Sequence, residues 1–338
     1  MLSTQVQVRS YPDSQVTPDH FEVIEAELPE PGPHQVLVRN TWTSVDPGLR
    51  LRLRAEAPAG YFVSFPLGRP MDGVLTVGEV VASEAEGFGV GDTVWHSLGW
   101  RSHALVDAGT EAMNGVGTLR VLDVDRFPAQ WYLGPLGAMG LTAYAGLSVA
   151  GALSGGERVW VSAAAGAVGT LVTQVALRLG HEVIASAGSD EKVEWLTGLG
   201  AKALNYRRTP PREALRALAP EGIDVYFDNV GGDHLEAALE SMRMFGRIAL
   251  CGSVSEYESA PAGPRNLFLA TAKHLTLTGF RGSLHLDLLE EMQERLGTWL
   301  LEGSLTYPET VYDGLDQAPQ ALADMLAGRT TGKTLVRL

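Results

Sequence analysis

The chain reads as an α/β protein in two parts, an antiparallel β part followed by a doubly wound parallel sheet. Three observations predict this. Across the first ~125 residues, β-branched segments succeed one another between Gly and Pro punctuation, with no long helical pattern. From residue 131 onward, short apolar runs alternate with helical patterns, the order that builds a parallel sheet. Between 158 and 192, RVWVSAAAGAVGTLVTQVALRLGHEVIASAGSDEK gives strand, glycine turn, helix and strand in immediate succession.

Strands are expected at VLVRNTWTSV (36–45), GVLTVGEVVAS (73–83), DTVWHS (92–97) and SHALVD (102–107), separated by turns such as PEPGPHQ (29–35) and EGFGVGD (86–92). Their sheet should be antiparallel and close as a barrel. YLGPLGAMGLTAYAGLSVAG (132–151) is a helical lead-in. Val159, Trp160 and Val161 then form a buried strand. From Thr170 to Gly180, the residues Leu171, Val172, Val175, Ala176 and Leu179 recur at helical spacing, Gly180 closes the helix, and Val183 and Ile184 open the next strand. Further strands are expected at 202–206, 224–230, 247–252 and 275–280, and helices at 211–219, 234–242 and 286–303. The tail holds one amphipathic helix and ends in a strand, TLVRL, expected to return to the first part. The boundaries that follow are 1–128, 129–298 and 299–338.

Composition narrows the function classes. With 338 residues, 45% of them hydrophobic, there is core material for two domains. A formal net charge of −14 opposes a nucleic-acid or anionic-membrane partner. One cysteine, Cys251, excludes an internal disulfide and a Cys-rich zinc lobe. The N-terminus has no basic-then-apolar leader, and no run approaches the ~18 apolar residues of a membrane span. A soluble cytoplasmic enzyme is the expectation.

The turn Ala163-x-x-Gly166-x-x-Gly169 between a strand and a helix is the first half of a dinucleotide-binding unit. Gly166 admits backbone N–H groups to a pyrophosphate, Gly169 admits close packing of helix on strand, and the helix N-terminus adds partial positive charge. An NAD site places an acid after the second strand to hold the ribose 2′-OH. Here Ala185-Ser186-Ala187-Gly188-Ser189 stand instead, with Asp190 and Glu191 as N-cap and first-turn acids of a following helix. Lys192 comes next, within reach of a 2′-phosphate, so NADP(H) is the expected cofactor. Other chemistry-bearing residues have plainer readings. His96 and His103 are structural or solvent-facing, and Ser162 lacks the G-x-S-x-G context of a nucleophile. Cys251 is a packed residue, and Asp46 before Pro47 is a turn former.

The ordered fragments SVDPGLR (44–50), LGAMGLTAYAGL (136–147), VSAAAGAVG (161–169), NYR (205–207), FDNVGG (227–232), CGSVSEY (251–257), GF (279–280) and GKTLV (332–336) span nearly the whole chain. Together they resemble the zinc-independent medium-chain dehydrogenase/reductases, within them the prostaglandin reductase, leukotriene hydroxydehydrogenase and plant double-bond reductase branch. The resemblance implies a GroES-like β-barrel catalytic domain, a Rossmann domain, a homodimer, no metal, and NADPH-dependent reduction of the C=C bond of α,β-unsaturated ketones and aldehydes. By motif match, it implies cofactor contacts at Gly166, Ala167, Val168, Gly188, Lys192, Tyr206, Asn229, Cys251, Ser253, Tyr257 and Phe280. Thr330 stands where the family often has an asparagine near the nicotinamide. Tyr257 is the candidate catalytic group, a phenol able to donate to the enolate oxygen that develops. Two departures concern the substrate: Gly48 replaces an aromatic after SVDP, and Arg281, Gly282 and Ser283 replace a further aromatic. An NADPH:quinone reductase of the same fold and a noncatalytic NADPH-binding protein are the alternatives.

Overall fold

The computed structural model describes residues 1–60, 63–259 and 263–338. Contacts divide these into two compact units, Met1–Ala138 with Pro308–Leu338, and Met139–Tyr307, where the sequence suggested changes at 128/129 and 298/299.

The first unit begins with strands β1 (Leu2–Val8) and β2 (Phe21–Glu27), an antiparallel pair. Sequence patterning did not single them out, because Ser3, Gln5 and Gln7 face inward and break the apolar signature; Ser3 Oγ donates to His103 O at 2.8 Å. Next come β3 (Gln35–Val45), β4 (Thr76–Ser83), β5 (Thr93–His96), β6 (His103–Asp107) and the short β7 (Arg120–Val121). β3 pairs antiparallel with both β4 and β6, and Val36, Val38, Val80, Val94 and Ala104 fill one buried cluster. Each buried valine contributes roughly 1.5–3 kcal/mol by leaving water.

The second unit alternates strand and helix as far as the strand that ends at Leu250. Its elements are β8 (Arg158–Val161), α1 (Ala167–Arg178), β9 (Glu182–Ala187), α2 (Asp190–Gly198), β10 (Lys202–Asn205), α3 (Pro211–Leu218), β11 (Ile223–Asp228), α4 (Gly232–Ser241), β12 (Met242–Leu250), β13 (Thr276–Gly279) and α5 (Leu289–Leu301). All strand pairs are parallel in the order β10-β9-β8-β11-β12-β13, the doubly wound order with its switch point between β8 and β11. Val159, Trp160 and Val161 are fully buried, as a strand covered on both faces requires.

Three local expectations change. α1 starts at Ala167 rather than Thr170, since the turn residues themselves enter the first helical turn. Ser189, not Asp190, caps α2, its hydroxyl accepting the Lys192 N–H. The lead-in is a 3-10 turn (Ala129–Leu133), a helix (Ala138–Ala145) and a π-helical turn (Gly146–Ala150) rather than one helix. Gly146 sits under two rings: a Cβ there would stand 2.4 Å from Phe227 and 2.5 Å from Phe280.

The chain then re-enters the first unit through β14 (Glu309–Asp313), α6 (Ala318–Leu326) and β15 (Lys333–Arg337). β15 is antiparallel to β3 but parallel to β14, which the intervening helix permits, so the sheet β14-β15-β3-β4-β5-β7 with β6 on β3 is mixed rather than wholly antiparallel. A buried ion pair fastens this return. Lys333 Nζ donates to Ser44 Oγ (2.7 Å), Val45 O (3.0 Å) and Asp46 Oδ1 (2.7 Å), which spends all three of its protons. Asp46 does cap a turn, its carbonyl accepting from Leu49 N, and it also neutralises Lys333. No helix among the described residues is long and apolar enough to cross a membrane.

Candidate functional site

Open parallel sheets bind ligands at the carboxyl ends of their strands, beside the switch point. In the Met139–Tyr307 unit, that edge gathers most of the residues singled out from sequence. After β8, Ala163 takes a left-handed conformation (φ 46°) and Gly166 is the N-cap of α1, with no side chain capping it. Thr170 N already returns to Gly166 O, so the N–H groups of Ala167, Val168 and Gly169 are the ones a helix leaves without intrahelical partners. Gly166, Ala167 and Val168 are half-buried, while Gly169 is buried: a Cβ on it would stand 2.3 Å from Ala163 O and 2.7 Å from Ala164 Cα. The close helix–strand approach is therefore met at Gly169. At Gly166 a Cβ would meet only Ala163 O, at 3.2 Å.

At the ends of β9 and β10, Gly188 faces Tyr206 and Arg207. A Cβ on Gly188 would stand 2.8 Å from the Tyr206 hydroxyl and 3.3 Å from Arg207 Nε. Tyr206 is held by its N–H on Ala187 O (3.1 Å) and by edge-on contact with the His234 ring (5.2 Å). Lys192, in the first turn of α2, is half-buried; burial, and then the charge of Arg207, holds its ammonium below the usual range. Arg207 at Gly188 and Lys192 are thus two cations within electrostatic reach of each other, a setting that favours an anion. Asp190, the first acid after β9, is engaged elsewhere, accepting from Asn205 Nδ2 (2.8 Å) and pairing with Arg208. Arg207 is the site residue that sequence reasoning missed, although it stands in the NYR fragment.

At the ends of β11 and β12, Asn229 is tied to Ser162 twice: its N–H to Ser162 Oγ (3.0 Å) and its Nδ2 to Ser162 O (2.8 Å). Ser162 is therefore a structural bridge across the switch point, not a nucleophile. Cys251 donates its N–H to Asp228 O (2.9 Å); burial, and then Asp228, pushes its thiol up to about 12, the behaviour of a packed residue. Ser253 lies against Gly231, whose Cβ would come 2.9 Å from Ser253 Cβ. Tyr257 is half-buried, and its hydroxyl would lie 3.3 Å from a Cβ on Gly252, with Asn229 O 3.4 Å from the same point. That puts the phenol oxygen beside the Asn229 loop. Phe280 packs its ring edge-on against Phe227 (5.9 Å), so its side chain serves the core. Gly282 has a packing reason of its own, since a Cβ would meet Thr142 Oγ1 at 2.6 Å.

Thr330 belongs to the other unit, where its hydroxyl accepts from Thr334 Oγ1 at 3.0 Å. His96 there is fully buried, its Nδ1 accepting from Leu98 N (3.0 Å) and its Nε2 donating to Asn40 Oδ1 (2.9 Å). Burial, with Arg101, holds it neutral with a pKa of about 3. His103 is half-buried, near Ser102 Oγ. Among the described residues, no group of three or more His, Cys, Asp or Glu side chains is arranged to hold a metal ion.

Two family models match the chain: the N-terminal domain of oxidoreductase over residues 4–114 and the zinc-binding dehydrogenase over residues 167–298. The chain is 38% identical to an NADP(+)-dependent 2-alkenal reductase of Nicotiana tabacum over 317 residues, covering 93% of this chain and 90% of that protein. It is 38% identical to prostaglandin reductase 1 of Mus musculus over 331 residues, covering 95% and 94%. The structure of CurA from Vibrio vulnificus in complex with NADPH superposes with a TM-score of 0.90 at 30% identity, covering 99% of this chain and 98% of that one.

Proposed function

The chain belongs to the medium-chain dehydrogenase/reductases, in the branch of its alkenal and prostaglandin reductase relatives, and from that premise we propose that it reduces the C=C bond of α,β-unsaturated ketones and aldehydes with NADPH. One observation carries the cofactor choice: at the end of β9, Arg207 borders Gly188 and its charge reaches the half-buried Lys192, while Asp190, the acid that follows, is occupied by Asn205 and Arg208. In this reading, Lys192 and Arg207 hold the 2′-phosphate and the uncapped N–H groups of Ala167 and Val168 receive the pyrophosphate. Tyr206 borders the adenosine side, and Asn229, Cys251 and Ser253 border the second half of the nucleotide, with Phe280 contributing its backbone.

When bound, NADPH supplies a hydride to the β-carbon of the acceptor. The residues of the chain orient the two reactants and stabilise charge. Tyr257 is assigned as hydrogen-bond donor to the enolate oxygen, its hydroxyl lying by the loop that carries Asn229. No metal is assigned, because both ring nitrogens of His96 are engaged and the single cysteine sits in the other unit with a raised pKa. Arg281, Gly282 and Ser283 in place of a further aromatic favour a more open, polar acceptor pocket than eicosanoids need. The working form is proposed to be a cytoplasmic homodimer. β13 ends the parallel sheet with one edge unpaired among the described residues, and exposed Phe245, Leu267 and Phe268 belong to the same unit.

The test is NADPH oxidation at 340 nm with a panel of enones, enals and quinones, with NADH in parallel. Turnover of enones with a strong NADPH preference is expected. Quinone-only turnover moves the chain to the alternative activity, and binding without turnover on any acceptor refutes an enzymatic role.

A further inference from the structure

A buried polar chain crosses the switch point, and nothing in the hydride step uses it. Ser162 and Tyr226 are fully buried and Asp228 is 1% exposed. Tyr226 Oη lies 2.7 Å from Asp228 Oδ1 and 3.0 Å from Ser162 Oγ. A phenol has one proton; the carboxylate takes it across the shorter distance, leaving the Ser162 hydroxyl to donate to Tyr226 Oη. Ser162 Oγ then accepts the Asn229 N–H (3.0 Å), and Asp228 Oδ1 accepts the N–H groups of Val230 (2.9 Å) and Gly231 (2.8 Å). Every backbone N–H from Asn229 to Gly231 thus ends on this one chain. From the other side, the carbonyls of Asn229 and Val230 receive Val254 N and Ser255 N. Burial pushes Asp228 up and its N–H and O–H donors pull it back, so each donor lost makes its charge harder to hold.

We propose that Tyr226 is a positioning residue, its hydroxyl linking Ser162 to Asp228 so that the Asn229–Gly231 loop is preset for the second mononucleotide half of the cofactor. The inference rests on the reading of NADPH binding given above. A purely apolar strand residue would serve the core equally well. The Tyr226 ring stacks on Trp160 with centroids 4.3 Å apart, and a phenylalanine would keep that stack. The hydroxyl is what the core does not need.

The experiment is Tyr226→Phe, with Kd for NADPH and NADH measured by fluorescence titration, steady-state kinetics with NADPH varied at saturating acceptor, and a thermal melt. Kd for both nucleotides is expected to rise about tenfold by the same factor, because the shared half is disturbed and not the 2′-phosphate, with kcat falling by less than KM rises. An unchanged Kd for both nucleotides overturns the assignment, as does a loss confined to NADPH. Should Tyr226→Phe not fold, Ser162→Ala interrupts the chain one bond away and is held to the same criteria. Wild-type protein that binds no NADPH refutes the reading beneath the proposal. Wild-type binding with unaffected variants refutes the proposal alone.

Discussion

Lys192→Ala and Arg207→Ala test the cofactor assignment, and the structure sets the size of the effect. Hydrogen bonds to charged groups contribute about 1.5–3 kcal/mol each. Lys192 is half-buried and its ammonium is held down by burial, so its bond to a phosphate is shielded from water and belongs near the upper part of that range. Arg207 is exposed and belongs near the lower part. The expected losses in NADPH affinity are about 100-fold for Lys192→Ala and about tenfold for Arg207→Ala. The double variant should lose more than the product, because Arg207 raises the cost of charging Lys192 and removing it alone lets the lysine hold the phosphate better. NADH has a hydroxyl where NADPH has a phosphate, so its Kd should move by less than about threefold. The assay is fluorescence titration of both nucleotides at two salt concentrations. The salt dependence for NADPH should also weaken in the variants. Equal losses for NADPH and NADH in both single variants would refute the reasoning, since the cations would then be holding a group that the two nucleotides share.

Three further outcomes are expected. Tyr257→Phe should lower kcat for an enone by roughly 100-fold while leaving the NADPH Kd within twofold; unchanged turnover removes Tyr257 from the chemistry. Lys333→Met leaves Asp46, Ser44 Oγ and Val45 O without their buried donor, and should cost about 3–5 kcal/mol in urea unfolding. A loss under about 1 kcal/mol would show that water replaces the lysine there. His96 and His234 are buried neutral, with pKa values near 3 and 4 against an unfolded value near 6.5. Below about pH 6.5, the unfolded chain takes up protons that the folded chain refuses. Stability should therefore fall on acidification from 6.5 to 5 by up to about 1.4 kcal/mol per pH unit for each histidine, within its own unit. A urea midpoint that stays flat over that interval would mean the imidazoles titrate in place.

What the sequence made legible was local. The β8–α1–β9 unit follows from apolar spacing and two glycines, and Gly169 does the packing expected of it. The absence of an acid after β9 needed only the order of residues along the chain. What escaped was polar and distant. β1 was hidden because its inward positions carry Ser3, Gln5 and Gln7, satisfied by partners such as His103, 100 residues away. Lys333 reads as one more cation before a strand, and its partner Asp46 lies 287 residues upstream. Tyr226 sits inside VYF, where periodicity sees only a buried aromatic; its hydroxyl acquires meaning once β8 and β11 are neighbours and Ser162 comes within 3.0 Å. Apolar burial is nearly indifferent to which partner supplies it, so a local pattern is enough to specify it. A buried donor or acceptor must find one particular group, and that requirement is set by strand order. Arg207 became visible for the same reason, through the Gly188 floor that β9 and β10 share side by side, and the variants that separate NADPH from NADH lie at that junction.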